Sequence, residues 1–201
     1  MTRRLVLATR NAHKVTELRA ILEQTGLDVE LVGTDAYPDV PDVKETGVTF
    51  AENALLKARA LADATGLPAV ADDSGLCVDV LGGAPGIFSA RWAGRHGDDA
   101  ANLDLLLAQL ADIDTPYRAA HFACAAALAL PGGTSRVAEG RLRGTLRHTP
   151  AGSGGFGYDP ILQPDGETRT CAELSPAEKN AISHRGQAFR ALAPQIGELL
   201  G

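Results

Sequence analysis

Residues 68–94 constrain the fold more than any other part of this sequence. Residues 68–71 are an apolar run typical of a buried strand, and two charges, Asp72 and Asp73, follow at once. A sheet interior does not tolerate unpaired charges, so we expect the strand to end here and to carry carboxylates at its tip. Neighbouring side chains on a strand point to opposite faces, so both aspartates can reach one ligand only if the backbone bends at the serine and glycine that follow.

A second apolar run, residues 76–81, and a glycine-rich loop, residues 82–86, come after the two aspartates. A loop with few side chains lets the backbone approach a ligand closely. We therefore interpret this part of the chain as the edge of an active site. A surface turn between two strands is the alternative that these residues leave open.

The overall composition predicts one globular domain of 201 residues, long enough to bury a core. The formal net charge of −6 argues against nonspecific binding to nucleic acid or to a membrane, so an anionic ligand must meet a local group of cations. The apolar run near the N-terminus is too short for a signal peptide, and no run approaches the length of a membrane span, which predicts a cytoplasmic protein. The three cysteines, Cys77, Cys124 and Cys171, suit reduced thiols better than disulfides or zinc ligands.

The first strand and helix of the chain enclose a turn that suits a phosphate. Residues 5–9 predict a strand, and Asn11 is placed to cap a helix whose apolar residues recur at helical spacing. The turn that contains Thr9, Asn11 and Lys14 offers backbone N–H groups and an ammonium at a helix N-terminus, where phosphates bind. An ordinary capped helix with a solvent-exposed Lys14 is the other interpretation.

A second helix is predicted from the capping box of Thr49 and Glu52 to residue 64. Asn53 and Lys57 lie four residues apart, so they share a face of this helix and both can face a binding site. Only four of the 19 basic residues are lysine, and a compact ammonium meets a phosphate oxygen differently from a planar guanidinium. A solvated helix surface is the alternative for Lys57.

In the second half of the chain, residues 118–130 and 134–147 predict a long antiparallel pair of strands around the turn at 131–133. The alanine content of the first of these strands favours a helix, but the turn and the alternation that follows it favour a strand. Residues 161–163 and 168–171 predict a small hairpin. Together with the helices, this order of elements predicts a mixed α/β sheet with two lobes and a cleft between them.

The loop of residues 151–160 carries four glycines around Phe156. A ring exposed on such a loop is a poor core residue but a good surface on which a flat heterocycle stacks, with Asp159 as a hydrogen-bond partner for its edge. A loop with Phe156 packed into the core is the alternative. His184 and Arg185 begin the final helix and are donors for an acceptor-rich ligand, although such residues taken alone are more often surface residues.

Seven motifs, in this order, make the sequence resemble the inosine triphosphate pyrophosphatase family over nearly its whole length. They are Thr9-x-Asn11-x-x-Lys14, Glu45-Thr46-Gly47, Phe50-x-Glu52-Asn53-Ala54-x-x-Lys57-Ala58, Ala71-Asp72-Asp73-Ser74-Gly75-Leu76, Gly82-Gly83-Ala84-Pro85-Gly86, Gly154-Gly155-Phe156-Gly157-Tyr158-Asp159-Pro160 and Ser183-His184-Arg185-Gly186. One departure is Arg10, which stands where glycine is common in relatives. The family hydrolyses nonstandard purine nucleoside triphosphates to remove them from the nucleotide pool.

The resemblance implies a single domain, residues 1–201, with an elongated twisted mixed sheet and flanking helices that form two lobes around a central cleft. It implies that water attacks the α-phosphorus, that Asp73 is the catalytic acid–base residue, and that the products are a nucleoside monophosphate and pyrophosphate. It also implies Mg²⁺, with Glu45 and Asp73 as ligands and Asp72 close by, and it suggests a homodimer. The residues implied to bind the triphosphate are Thr9, Asn11, Lys14 and Lys57, Ser74 is implied to contact the substrate, and Phe156, Gly157, Tyr158, Asp159, Lys179, His184 and Arg185 are implied to form the nucleobase pocket.

Two other functions stay open at this point. A noncatalytic purine nucleotide sensor would use the same residues, but it gains little from bare carboxylates near a triphosphate unless a metal is present. A pyrophosphatase for modified pyrimidine nucleotides is the second alternative. Donors such as His184 and Arg185 favour the 6-oxo group of hypoxanthine or xanthine over the 6-amino group of adenine, because adenine leaves buried donors unpaired.

Overall fold

The computed structural model describes residues 3–9, 12–41 and 43–201. Its strands are β1 (Arg3–Leu7), β2 (Val29–Gly33), β3 (Ala69–Val78), β4 (Ala119–Ala129), β5 (Ser135–Leu146) and β6 (Leu162–Pro164). Its α-helices are α1 (Ala12–Gln24), α2 (Phe50–Thr65), α3 (Asp99–Gln109), α4 (Pro176–Ile182) and α5 (His184–Leu200). None of the helices in these ranges combines the length and apolar content that a membrane crossing requires.

The strands form one mixed sheet in the order β2-β1-β3-β4-β5-β6. Strand β1 pairs in parallel with both β2 and β3, and β6 pairs antiparallel with β5. Strands β4 and β5 form an antiparallel hairpin, in which the Leu130 N–H donates to the Thr134 carbonyl at 2.8 Å and the Leu146 N–H donates to the Arg118 carbonyl at 2.9 Å. The predicted mixed α/β class, with a sheet and flanking helices, is confirmed.

The chain divides into two compact units. The first unit consists of Met1–Asp73, Cys124–Gly140 and His184–Gly201, and the second consists of Ser74–Ala123 and Arg141–Ser183. The first unit has two cores, one formed with α1 and α5 and the other with α2. The second unit has a core of its own, formed with α3. The two lobes around one cleft stay a prediction.

Strand β4 shows why an alanine-rich segment is a strand here. Leu128 lies in the core formed with α1 and α5, whereas its neighbour Ala127 lies in the core formed with α2. A strand buried on both faces has a continuous apolar sequence rather than an alternating one. The prediction of a strand against helix propensity is therefore confirmed.

The prediction that a strand ends at Asp72 and Asp73 is wrong. Strand β3 continues from Ala69 through both aspartates and through the predicted bend to Val78, so the second apolar run belongs to the same strand. The expectation assumed unpaired charges in a sheet interior. In the structure, cations from the neighbouring helices pair with both carboxylates.

The predicted hairpin of residues 161–163 and 168–171 is also wrong in its second half. The first segment is β6, which pairs with β5, but residues 168–171 lie in bends and turns. The Thr170 N–H donates to the Glu173 carboxylate at 2.8 Å, and the Thr170 hydroxyl donates to the Ala151 carbonyl at 2.8 Å. Such local side-chain bonds compete with strand pairing.

The predicted cap of the second helix agrees with the structure, since the side chain of Thr49 caps α2. Ser175 with Glu178 forms a complete capping box at α4. The cysteines at 77, 124 and 171 are free thiols, as the sequence predicted.

Candidate active site

Strand β3 directs its two aspartates to opposite faces of the sheet. Val70 lies in the core formed with α1 and α5, and Ala71 lies in the core formed with α2. Because side chains alternate along a strand, Asp72 follows Val70 toward α1 and α5, whereas Asp73 follows Ala71 toward α2. The two carboxylates therefore have different neighbours.

Asp72 is held by two cations. Its Oδ2 accepts from Lys14 Nζ at 3.0 Å and from the Nε and Nη2 of Arg185 at 3.2 Å each. Arg185 also donates through Nη1 to the carboxylate of Glu17 on α1. Asp72 and Arg185 are 2% and 1% exposed, and the side chains of Lys14 and Glu17 are each 17% exposed. No local sequence pattern indicated the role of Glu17.

The buried charges of this group stabilise one another. Burial alone would raise the pKa of Asp72, but attraction to Lys14 and Arg185 outweighs it and holds the pKa well below its usual range. Burial alone would lower the pKa of Arg185, but Asp72 and Glu17 help to raise it above its ordinary value. Asp72 is therefore a fixed anion, and Arg185 is a fixed cation.

Asp73 has one cation and one neutral donor. Its Oδ1 accepts from Lys57 Nζ at 3.0 Å, and its Oδ2 accepts from Asn53 Nδ2 at 3.3 Å. The same Lys57 Nζ donates to Glu45 Oε1 at 2.8 Å. The prediction that Asn53 and Lys57 share a face of their helix is confirmed, because both contact the same carboxylate. The binding role of that face stays a prediction.

The pKa of Asp73 is set by opposing effects. Two carboxylates, Asp73 and Glu45, contact the same ammonium of Lys57. Burial raises the pKa of Asp73, attraction to Lys57 opposes this shift, and repulsion from Glu45 adds to it, so the net shift is upward. Burial lowers the pKa of Lys57, but Asp73, Asp72 and Glu45 outweigh that effect and raise it. A carboxylate with a raised pKa is a better proton acceptor near neutral pH.

The segment that carries Glu45 is tied to the start of α2. Asn53 Oδ1 accepts from the Gly47 N–H at 2.8 Å, and Glu52 accepts from the Val48 N–H at 2.7 Å. Asn53 thus bonds to both Asp73 and the backbone beside Glu45. Sequence analysis placed Asn53 on the correct face but did not find this linking role, because a hydrogen bond across a loop leaves no periodic signal.

Of the three carboxylates that the resemblance implies near the metal, Glu45 and Asp73 contact the same ammonium and would suit a divalent cation. Both place an oxygen within 3.0 Å of one ammonium, and Mg²⁺ commonly binds one or two carboxylates while substrate phosphates and water complete its shell. The described part of the chain contains no group of three His, Cys, Asp or Glu side chains arranged to hold a metal ion. Asp72 contacts Lys14 and Arg185 on the other face, so its part in metal binding stays a prediction.

In the second unit, Asp159 organises the glycine-rich loop. Its Oδ2 accepts from Lys179 Nζ at 2.7 Å and from the Phe156 N–H at 2.8 Å. Lys179 Nζ lies 5.0 Å from the centroid of the Phe156 ring, a distance at which a cation is attracted to an aromatic face. Phe156 is partly exposed and lies outside the core clusters of the described residues, so the alternative of a core phenylalanine does not apply.

Gly157 and Tyr158, which lie between Phe156 and Asp159, bond to residues outside the loop. Tyr158 is 5% exposed, and its hydroxyl donates to the Ser89 carbonyl at 2.9 Å. The Gly157 N–H donates to Asp99 on α3 at 2.9 Å. These bonds fix the loop that presents Phe156. The roles of Tyr158 and Gly157 in base binding stay predictions.

The remaining predicted site residues lie at the ends of elements or within β3. The Thr9 carbonyl, just after β1, accepts from the Thr34 hydroxyl at 3.2 Å. Ser74 is half-buried in β3, and His184 begins α5 and is 6% exposed. Asn11, predicted to bind phosphate and to cap α1, lies outside the described residues, as does Arg10.

Comparison with known proteins agrees with the sequence motifs. A family model described as the Ham1 family matches residues 5–195. The dITP/XTP pyrophosphatase of Streptomyces avermitilis is 81% identical over 198 residues, which cover 98% of this chain and 99% of that relative.

Solved structures show the same relationship. A HAM1 protein from Coxiella burnetii has 42% identity and a TM-score of 0.88, and the alignment covers 98% of this chain and 99% of that one. A nucleoside-triphosphatase / dITP/XTP pyrophosphatase from Mycobacterium abscessus has 54% identity and a TM-score of 0.77, with 95% of this chain and 99% of that one covered. The resemblance inferred from the sequence motifs is confirmed. The chain belongs to the Ham1 family.

Proposed function

We propose that this protein hydrolyses nonstandard purine nucleoside triphosphates, namely ITP, dITP and XTP, to nucleoside monophosphate and pyrophosphate, and so removes them from the nucleotide pool. The observation that carries the proposal is the convergence of Glu45 and Asp73 on the ammonium of Lys57, while Lys14 pairs with the adjacent Asp72. Relatives named dITP/XTP pyrophosphatase, one of them 81% identical, support the same reaction.

Asp73 is the acid–base residue of this proposal. Its raised pKa suits it to accept the proton of the water that attacks the α-phosphorus. The Asn53 amide donates to Oδ2 and fixes the orientation of the carboxylate. Asp72 has the opposite role, since it holds Lys14 and Arg185 in place as a permanent anion.

The cations of the first unit bind the triphosphate. Lys14 and Lys57 neutralise the charge that develops on the departing pyrophosphate, and the neutral Thr9 and Asn11 bind the triphosphate with them. Phosphoryl transfer depends mainly on such positioning and electrostatics. Glu45 and Asp73 are the residues that would hold Mg²⁺, which supplies charge neutralisation at phosphate oxygens when bound. Ser74 contacts the substrate in the same proposal.

Base recognition is assigned to a stacking ring and to buried donors. Phe156 offers its ring to a purine, and the loop residues Gly157, Tyr158 and Asp159 with Lys179 hold that ring in place. His184 and Arg185 supply donors that favour a 6-oxo group over a 6-amino group. Arg185 is held in one orientation by Asp72 and Glu17. Its guanidinium therefore cannot rotate to avoid a base that presents a donor instead of an acceptor.

We also propose that the protein acts in the cytoplasm as a homodimer. The family resemblance supports the dimer, and the negative formal charge of −6 supports a protein that does not bind nucleic acid or membranes nonspecifically. Light scattering on the purified protein tests the dimer, and a mass equal to one chain would contradict it.

A pyrophosphate-release assay tests the reaction. We expect release from ITP, dITP and XTP to exceed release from ATP by a large factor, and we expect EDTA to abolish it. Nucleotide binding without release would indicate a sensor instead. Faster release from modified pyrimidine triphosphates than from ITP would indicate a different substrate class.

A further inference from the structure

Lys57 occupies the place that the two proposed metal ligands share. Its Nζ lies 2.8 Å from Glu45 Oε1 and 3.0 Å from Asp73 Oδ1. A Mg²⁺ ion bound to these two oxygens would lie about 2.1 Å from each. The ammonium and the ion would therefore compete for the same oxygens at very short separation.

The charges of the site make this competition unequal. Lys57 already pairs with both Glu45 and Asp73. A free divalent ion would place two more positive charges beside the ammonium of Lys57, where the Lys57 and Asp73 side chains are only 16% and 11% exposed and water screens little. A metal–triphosphate complex carries a net negative charge, so Lys57 attracts it instead of repelling it.

Lys57 also has the means to move, whereas Asp73 and the backbone beside Glu45 are held. The stem of Lys57 has four carbons and rotates freely once its partners change. Asn53 bonds to Asp73 and to the Gly47 N–H, and Glu52 bonds to the Val48 N–H. These bonds keep the Asp73 carboxylate and the segment that carries Glu45 in place when the ammonium turns toward a phosphate oxygen.

We infer that Lys57 blocks binding of a divalent metal ion to Glu45 and Asp73 until a triphosphate draws its ammonium away, so that the metal enters with the nucleotide and not before it. This inference rests on the proposed function and adds an order of binding to it. Lys57 thereby acts twice, first as a substitute cation for the two carboxylates and then as a phosphate ligand.

The experiment measures Mn²⁺ binding to the full chain, by the loss of the electron paramagnetic resonance signal of free Mn²⁺. Without nucleotide, we expect Lys57→Gln to bind Mn²⁺ about tenfold or more tightly than the wild type. Lys57→Arg keeps the charge and should bind as weakly as the wild type. Arg59→Gln is the matched control, because Arg59 lies on the same helix and is exposed. Its guanidinium bonds to Ser135 Oγ at a distance of 3.0 Å and not to the two carboxylates.

The wild type alone provides a second test that does not depend on the folding of a variant. We expect its Mn²⁺ affinity to rise about tenfold or more when a non-hydrolysable ITP analogue is added. Three results would each overturn the inference. They are tight Mn²⁺ binding by the wild type without nucleotide, a Mn²⁺ affinity of Lys57→Gln equal to that of the wild type, and a wild-type Mn²⁺ affinity that does not rise when the analogue is added. Pyrophosphate release is measured separately, so a protein that releases no pyrophosphate from ITP but shows this Mn²⁺ pattern would contradict the proposed function alone.

Discussion

The two faces of β3 carry one aspartate each and give it opposite properties. On the face of α1 and α5, Asp72 meets Lys14 and Arg185, and its pKa is lowered. On the face of α2, Asp73 shares Lys57 with Glu45, and its pKa is raised. Two consecutive residues of one strand are thus a structural anion and a candidate base.

Burial does not account for this difference. Asp72 is 2% exposed and Asp73 is 8% exposed, so the more buried carboxylate has the lower pKa. The number of cations that face each carboxylate decides the direction, because charge attraction in a poorly solvated site exceeds the cost of removing water. Two cations suffice for Asp72, whereas one cation divided between two carboxylates does not suffice for Asp73.

Asp73→Asn should give the largest change in activity of the variants that test the contrast between Asp72 and Asp73. We expect turnover of ITP to fall roughly 100- to 10,000-fold, because the variant loses a general base, while nucleotide affinity stays near that of the wild type. Pyrophosphate release and equilibrium binding of a non-hydrolysable ITP analogue measure the two quantities. Turnover within a few fold of the wild type would remove Asp73 from the acid–base role.

Asp72→Asn should lower stability instead. It leaves Lys14 and the buried Arg185 facing a neutral amide, and breaking a buried ion pair by removing one partner costs about 3–5 kcal/mol. Urea unfolding measures this loss. Asp73→Asn is the control on the opposite face, and we expect it to be neutral or slightly stabilising, since the fold already disfavours the charge of Asp73. Equal losses in both variants would contradict the contrast between the faces.

The dependence of stability on pH should separate the faces further, in buffer that contains EDTA. The lowered pKa of Asp72 means that its contribution is present above its ordinary value of 3.8 and is lost as the pH falls through the folded-state value. The raised pKa of Asp73 means that the folded state is favoured below 3.8 and loses stability as the pH rises through the folded-state value. The loss of unfolding free energy in Asp72→Asn should therefore be constant near neutral pH. The unfolding free energy of Asp73→Asn should increase relative to that of the wild type as the pH rises from about 4.

The local features of this fold were predictable because each depends on residues close in sequence. Asn53 and Lys57 lie one helical turn apart, so their common face followed from their spacing. Thr49 and Ser175 are caps with a local chemical signature. Strand β4 was predicted as a strand because its apolar run ends in a hairpin turn that an alternating segment follows.

The continuation of β3 was not predictable in this way. Lys14 is 58 residues from Asp72 in the sequence, and Arg185 is 113 residues from it. A prediction that ends a strand at a charged residue considers only neighbouring residues, and these distant cations are not among them. The same limit applies to the ion pair of Asp159 with Lys179, which is 20 residues away. The predicted contact of Asp159 with a base stays a prediction.

Two glycine substitutions should give the smallest effects and separate the faces by geometry alone. A Cβ at Gly140 would overlap the His184 carbonyl and lie 2.7 Å from the Ala188 nitrogen, so Gly140→Ala must displace the start of α5 on the Asp72 face. We expect a loss of about 1–3 kcal/mol in unfolding free energy, as for other overpacked sites, with weaker discrimination between ITP and ATP because α5 carries Arg185.

Gly47→Ala acts on the opposite face. A Cβ there would lie 2.6 Å from Glu52 Cβ and 2.7 Å from Asn53 Oδ1, so the segment that carries Glu45 must shift. Because the metal ligands and not the base donors move, we expect a higher Mg²⁺ concentration for half-maximal turnover and an unchanged ratio of ITP to ATP turnover. If Gly47→Ala instead changed that ratio, or Gly140→Ala changed the Mg²⁺ requirement, the two faces would not act independently, and the assignment of metal binding to one and base recognition to the other would fail.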